Sequence, residues 1–371
     1  MGRFGRLLCK RIKMKILVIP DSFKGTLSSR EAGSIIRETI LAEHPDYDVL
    51  AVEVADGGEG TVDAVLRGRK GERIRVEVSG PYQEPLKAEY AWFSEDNSAV
   101  IEMASCAGLP LVKGRMNPRL TTTYGVGQLV KDAINRGINN IFIGLGGSCT
   151  TDGGCGYAAA LGTRFFNEKG EEFVPTGETL KDICRIEPAR CDASITAVCD
   201  VNNPLYGLLG ASYVFARQKG ADDADIAYLD EGLRHLAEVV RRDLSIDMAE
   251  TPGAGAAGGL GYGLMAFTNA RVKKGIDMIL DIINYEKLIK DCDIIITGEG
   301  RLDFQSFHGK VIDGIIRRSQ GKRVILVVGS RDEETRKGHE VYSTMDNGRV
   351  FPHDHKEAVD NLKAAVKEIA F

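Results

Sequence analysis

Five stretches of this sequence set a carboxylate among glycines or small hydroxyls, which is poor core material. They are PDSFKGT from Pro20, ADGGEGT from Ala55, GLGGSCTTDGG from Gly144, CDVNNPL from Cys199 and TGEGRLD from Thr297. In the first, Asp21 suits a metal or a proton transfer, and Lys24 suits a phosphate or carboxylate; an ordinary capped turn explains the same residues. In the second, Gly57, Gly58 and Gly60 flank Glu59 beside Asp56 and let backbone approach a ligand closely. Amide groups at the start of the following helix favour an anion there. The third combines flexible backbone at Gly146 and Gly147, the Ser148 hydroxyl and Asp152, a phosphate cradle with an aspartate on the metal side. In the fourth, Asp200 before Asn202 and Asn203 reads as a positioned acid or as an Asx turn. In the fifth, Gly298, Glu299 and Gly300 precede Arg301 and Asp303. Arg301 and Lys310 are candidate clamps on phosphate or carboxylate. His308, one of six histidines, reads more simply as structural.

Carboxylates converging on one cleft raise each other's pKa unless a cation is present. Magnesium on a nucleotide relieves that repulsion. Phosphoryl transfer needs a phosphate cradle, magnesium, positive clamps and an acid that orients the acceptor hydroxyl, and all these parts are present. The P-loop pattern and the protein-kinase signatures are absent. A sixth stretch, TPGAGAAGGLGYG at 251–263, holds a literal GxGxxG at Gly253, Gly255 and Gly258. The preceding SIDMAET is not a strand, so the dinucleotide fingerprint lacks its context. These glycines are expected to let a helix pack closely or to line a nucleotide cleft.

The elements that must hold these turns alternate strand and helix. KILVIP, a capped helix from Ser28 to about Ala42, DVLAVEV and a helix near 59–66 indicate a parallel α/β sheet. From Arg73 to Met103, three strand-like runs without intervening helices indicate antiparallel pairing. A helix over 125–135, the buried strand INNIFIG, the strand ITAVC, two apolar strands at DCDIIIT and KRVILVV, and a closing helix at 356–369 follow. The predicted fold is α/β with two α/β domains. One is a discontinuous parallel-sheet (Rossmann/flavodoxin-like) domain from residues 14–72 and 283–371. The other is an inserted mixed-sheet domain, 73–282, with a cleft between the two.

A length of 371 residues suits two domains. With 43% hydrophobic and 27% charged residues the chain reads as globular. A net charge of −5 and no basic stripe exclude nucleic acid and anionic membranes as expected partners. The eight cysteines contain no CxxC pair and indicate reduced, buried thiols in a cytoplasmic protein. No apolar run reaches the ~18 residues of a membrane span. Residues 1–13, before Met14, read as an extension with no structural role.

Taken together, the motifs resemble the bacterial glycerate kinase family, of the type active in glycerate and glucarate/galactarate catabolism. PDSFKGTLS, VADGGEGTV, GLGGSCTTDGG, CDVNNPLYG, GAGAAGG and ITGEGRLDFQSFHGKV occur in the family's order from about residue 15 to 330. The resemblance implies ATP and magnesium as cofactors and D-glycerate as substrate, with the 2-phospho product favoured. It implies an active site in the cleft. Asp21, Lys24, Asp152, Asp200 and Asp303 are the catalytic candidates, with Asp152 and Asp200 also on the metal. Gly146, Gly147, Ser148, Gly298, Glu299, Gly300 and Arg301 are the nucleotide-binding candidates, and Asp56, Gly57, Gly58 and Glu59 the substrate-binding ones. Phe23, Gly25, Cys149, Thr151 and Cys155 depart from the family's usual residues, and the charged segment after Gly329 resembles it poorly. A homodimer is the assembly expected, if any. The rival readings are an NAD(P)-dependent oxidoreductase of a small hydroxy acid and a non-catalytic organic-acid sensor.

Overall fold

The structure, a computed structural model, describes residues 13–371 apart from 24, 55–59, 308–309, 320 and 333–337. It divides into two units. One runs through Val54 and resumes over Ile283–Phe371; the other is Ala55–Ile282.

The first unit opens with β1 (Lys15–Val18), α1 (Ser29–Glu43) and β2 (Asp48–Ala51). The second unit then carries α2 (Thr61–Gly68), β3 (Glu72–Ser79), β4 (Pro85–Phe93), β5 (Ser98–Glu102), α3 (Ala104–Ala107), α4 (Tyr124–Asn135), β6 (Asn140–Gly144) and α5 (Cys155–Ala160). A small sheet of β7 (Arg164–Phe166), β8 (Glu172–Phe173) and β9 (Arg185–Glu187) follows. Next come β10 (Ser194–Val198), α6 (Ala211–Phe215), α7 (Asp223–Leu244), α8 (Ala256–Thr268), β11 (Arg271–Lys273) and α9 (Gly275–Ile282). The first unit is completed by α10 (Tyr285–Ile289), β12 (Ile294–Thr297), β13 (Arg301–Leu302), α11 (Val311–Arg318), β14 (Arg323–Val328), β15 (Ser330–Arg331), β16 (Glu340–Ser343) and α12 (His355–Lys367).

The main sheet of the first unit has the order β16-β14-β12-β1-β2 and is parallel throughout. Parallel strands are covered on both faces, so they read as unbroken apolar runs; Ile294, Ile295 and Ile296 of β12 are all buried. Helix α1 starts at a capping box: Ser28 Oγ accepts from Glu31 N at 3.2 Å, and Glu31 Oε2 accepts from Ser28 N at 2.9 Å. Its apolar stripe of Ala32, Ile36 and Ile40 packs with Leu362, Ala365 and Val366 of α12. Each such aliphatic side chain contributes about 1.5–3 kcal/mol on burial.

The second unit's main sheet has the order β11-β10-β6-β5-β4-β3. β3, β4 and β5 pair antiparallel, as the helix-free run predicts, and β5, β6, β10 and β11 pair parallel. Its core is separate from that of the first unit. The two-part α/β reading therefore holds, with one parallel sheet and one mixed sheet.

The first crossing between units lies at Val54/Ala55 rather than near residue 72. The reason is α2. Its Val62 amide donates to Glu102 Oε1 at the end of β5, and it packs against β4 and β5. Helix α7 and strand β16 are among the elements that were not expected. Helix α7 is an amphipathic 22-residue helix whose Leu229, Leu233, Leu236 and Val240 are buried. Strand β16 extends the first sheet from within the charged segment after Gly329. Among the described residues no helix is long and apolar enough to cross a membrane.

Candidate active site

In parallel α/β sheets, ligands bind beyond the carboxyl ends of the strands, at the point where strand order reverses. In the first unit that point lies between β1 and β12. There the Asp21 amide donates to the Gly298 carbonyl at 2.8 Å, and Thr297 Oγ1 donates to the Ile19 carbonyl at 2.8 Å. A cavity of about 530 Å³ opens beside them. Asp21, Glu299, Gly300, Arg301, Asp303, Lys310 and Ser330 form its polar side, and Phe23, Leu27, Met345, Phe351 and Pro352 its apolar side. The expected residues Asp21, Glu299, Gly300, Arg301 and Asp303 thus come together.

Glu299 is buried, at 7% exposure, and its Oε1 has no hydrogen-bond partner among the described residues. Burial raises its carboxyl above the usual carboxylate range. Ser306 and Lys310 oppose the rise, and the charges of Asp21 and Asp303 add to it. Asp303 is positioned by its own turn: Ser306 N donates to its Oδ1 at 3.2 Å, and its amide donates to Ser306 Oγ at 2.9 Å. Arg301 is exposed and pairs with Asp332 at 3.1 Å.

Gly298 does not line this cavity. A Cβ there would lie 1.7 Å from the Val327 carbonyl oxygen, so the glycine permits β12 and β14 to run side by side. Gly298 is thus not brought to the cavity wall with its neighbours Glu299 and Gly300.

A second cavity, of about 490 Å³, lies within the second unit at the ends of β6 and β10. Gly146, Gly147, Ser148, Asp200 and Lys219 line it, with Leu145, Val201 and Phe215 among its apolar walls. The 145–149 loop is pinned from below: Leu109 N donates to the Gly147 carbonyl, and Cys149 N to the Ala107 carbonyl, each at 2.9 Å. Asp200 is exposed at the rim, and its Oδ1 accepts from Gly275 N at 2.9 Å.

The GLGGSCTTDGG segment therefore splits in two. Its first half lines this cavity; its second half turns inward. Asp152 has no solvent exposure and lines neither cavity described above. Its Oδ2 accepts from Thr123 N at 2.7 Å, Thr123 Oγ1 at 2.8 Å, Gly156 N at 3.2 Å and Thr122 Oγ1 at 3.3 Å. Its Oδ1 accepts from Gly154 N at 3.1 Å. Burial raises this carboxyl, and the hydrogen bonds from Thr123, Gly154 and Gly156 oppose the rise. A cation would have to displace these donors. In this structure the Asp152 carboxylate ties the loop to α4 and α5 and faces neither cavity, whereas Asp200, the other expected metal ligand, lines the cavity of the second unit. Among the described residues, no group of three His, Cys, Asp or Glu is placed to hold a metal ion. Magnesium commonly takes only one or two protein carboxylates and fills its shell with phosphate and water.

The literal GxGxxG also has a structural explanation. It follows a turn, not a strand. Ala257, Gly258 and Gly259 are left-handed in succession, at φ of 53°, 67° and 91°. A Cβ at Gly258 would stand 1.9 Å from the Thr150 carbonyl oxygen. The run packs against the 150–154 loop, and Gly153 N donates to the Gly258 carbonyl at 3.1 Å.

Lys24, Asp56, Gly57, Gly58, Glu59 and His308 lie outside the described residues. The residue that sequence reasoning missed is Lys219. It is buried, and its Nζ donates to the Thr150 carbonyl at 2.7 Å. Burial pulls its ammonium down to about 8, with Cys149 and Asp152 opposing. Its sequence neighbourhood, ARQKGADD, carries no glycine-hydroxyl signature that would have singled it out. The apolar side of the first cavity was missed as well, because Met345, Phe351 and Pro352 follow the charged segment.

Residues 16–371 match the Glycerate kinase family. Glycerate 2-kinase of Escherichia coli K12 is 40% identical over 370 residues, covering 96% of this chain and 97% of that protein. A glycerate kinase of Halalkalibacterium halodurans is 42% identical over 323 residues, covering 85% of each. A crystal structure assigned to glycerate kinase 2 of Salmonella typhimurium LT2 superposes with a TM-score of 0.81 at 36% identity, covering 96% of each chain.

Proposed function

This chain belongs to the glycerate kinase family and is a phosphotransferase, and from that premise we propose that it transfers the terminal phosphate of ATP to D-glycerate with 2-phosphoglycerate as product. The observation that carries the assignment of ligands is the buried Glu299 Oε1, without a partner among the described residues, in a cavity that also gathers Asp21 and Asp303. Clustered carboxylates of this kind favour a cation. Arg301 and Lys310 in the same cavity suit the phosphates that a magnesium ion would accompany. The wall of Phe23, Leu27, Met345, Phe351 and Pro352 suits an apolar base face, and about 530 Å³ is within the usual size of a ligand pocket. These residues therefore fit a magnesium nucleotide, with Asp21, Glu299 and Asp303 as the acids nearest the ion. Magnesium, when bound, supplies neutralisation of charge on the phosphates.

The chain's own residues do the remaining work. Arg301 and Lys310 orient the phosphates. In the cavity of the second unit, the Gly146–Gly147–Ser148 loop and Asp200 receive the acceptor. Asp200, held by the Gly275 amide, accepts the proton of the attacking hydroxyl. The free cysteines suit a reducing cytoplasm.

A coupled assay for ADP release with D-glycerate and Mg-ATP tests the reading. Glycerate-dependent turnover that EDTA abolishes is the expected result, and its absence in folded protein overturns the reading. Proton and phosphorus NMR of the product is expected to show the 2-phospho isomer; the 3-phospho isomer would overturn the regiochemistry. Asp200→Asn is expected to lower kcat by about 10²-fold or more with unchanged circular dichroism. Full activity in that variant removes Asp200 from the mechanism.

A further inference from the structure

Lys219 is 2% exposed and lines the cavity of the second unit together with Gly146, Gly147, Ser148 and Asp200. Taking an ammonium out of water costs several kcal/mol unless a partner compensates it. An ammonium has three N–H donors. Lys219 Nζ uses one, at 2.7 Å to the Thr150 carbonyl oxygen. Among the described residues no carboxylate forms an ion pair with it. Asp152 acts on it electrostatically, but the Asp152 oxygens are already occupied by five donors. The hydroxyls of Thr150 and Thr151 are also buried without partners among the described residues.

The backbone holds Lys219 in place. Its amide donates to the Ala216 carbonyl at 3.0 Å. The next residue, Gly220, has a φ of 100°, and a Cβ there would lie 2.7 Å from the Met116 carbonyl oxygen. From this turn the long side chain runs inward to Thr150. A buried cation with unused donors on the wall of a cavity calls for an anionic occupant. Arg301 and Lys310 both line the first unit's cavity, whereas Lys219 is the one cation among the described residues lining this one. A single positive charge balances one carboxylate, and it falls short of a polyphosphate.

We infer that Lys219 binds the carboxylate of the acceptor in this cavity, and so makes the enzyme select a hydroxy acid over a neutral polyol of the same size. The inference rests on the glycerate kinase reading for the identity of the acid. A carboxylate there accepts from Nζ beside the Gly147–Ser148 backbone that lines the same cavity, and Asp200 at the rim faces the acceptor hydroxyl.

Steady-state kinetics of Lys219→Met test it. KM for D-glycerate is expected to rise about 10- to 100-fold, the loss of one charge-assisted hydrogen bond, with KM for ATP within twofold. The preference for D-glycerate over glycerol should shrink by the same factor. A rise confined to KM for ATP, or no change, overturns the inference. A second measurement uses the unmodified chain and covers the case in which the variant does not fold. Calorimetric titration without nucleotide is expected to show binding of D-glycerate but not glycerol, with proton uptake near pH 8.5 read from buffers of different ionisation enthalpy. A lysine that serves only the fold would give no proton uptake, and that result overturns the inference. Binding of D-glycerate with proton uptake but without phosphorylation of it would fail the kinase reading alone and support the carboxylate site.

Discussion

Five donors surround the Asp152 carboxylate, and that number determines what the residue does. Removing an acceptor from buried donors leaves each of them unsatisfied at about 1–3 kcal/mol. Asp152→Ala is expected to lower the unfolding free energy by roughly 3 kcal/mol or more in urea titration. A loss below about 0.5 kcal/mol would contradict this account, since that is the range of substitutions away from any structural feature. Lys219 is the opposite case, a buried charge with donors to spare. Its folded-state value of about 8 lies below the free-lysine value of 10.5, so the unfolded chain takes up the proton first as pH falls. The cost of burying the ammonium therefore grows from pH 10.5 down through about 8 and is complete below it. The groups acting on it are Cys149, whose thiol burial pushes up to about 12, and Asp152, whose carboxyl burial also raises. The ligand-free protein should lose stability relative to Lys219→Met as pH drops through that range. Parallel stability curves for the two would refute the shift.

Among the elements, α8 shows what glycine is for in this chain. At Gly258 both the left-handed φ of 67° and the contact with Thr150 exclude a side chain. Gly321 is left-handed too, at φ 76°, but has nothing within 4 Å of a built Cβ. Gly321→Ala is expected to cost about 1 kcal/mol, from backbone conformation alone. Gly258→Ala should cost about 3 kcal/mol or more and displace the 150–154 loop, which chemical denaturation compares directly. Equal costs would mean that close packing contributes nothing. The same physics explains why a motif that reads as a dinucleotide fingerprint is something else: glycine serves close approach of any kind, and here the approaching group is the chain itself. Helix α1, by contrast, was legible to its N-terminus because its cap is local: Ser28 and Glu31 stand three positions apart in sequence.

At the scale of the whole molecule, the second unit is one unbroken stretch, Ala55–Ile282, with its own core. Expressed alone, residues 55–282 are expected to unfold in a single cooperative transition, while the two segments of the first unit need each other because β1 pairs with both β2 and β12. A non-cooperative melt of the 55–282 fragment would contradict this. The sequence by itself determined the alternation of strands and helices, the antiparallel run at β3–β5, the turns at strand ends and the family, because these depend on patterns a few residues long. Tertiary structure alone decided the rest. It moved the first crossing to Val54/Ala55, since α2 takes its side from the contacts it makes. It turned Asp152 inward toward threonines about thirty positions earlier in the chain, while Gly146–Ser148, from the same motif, stayed on a cavity wall. It brought Lys219 to that wall from a stretch with no signature, and Phe351 to another. Residue type and spacing show what chemistry a side chain is capable of. Burial and the partners that reach it across the chain determine whether that capacity is spent on the fold or left for a ligand.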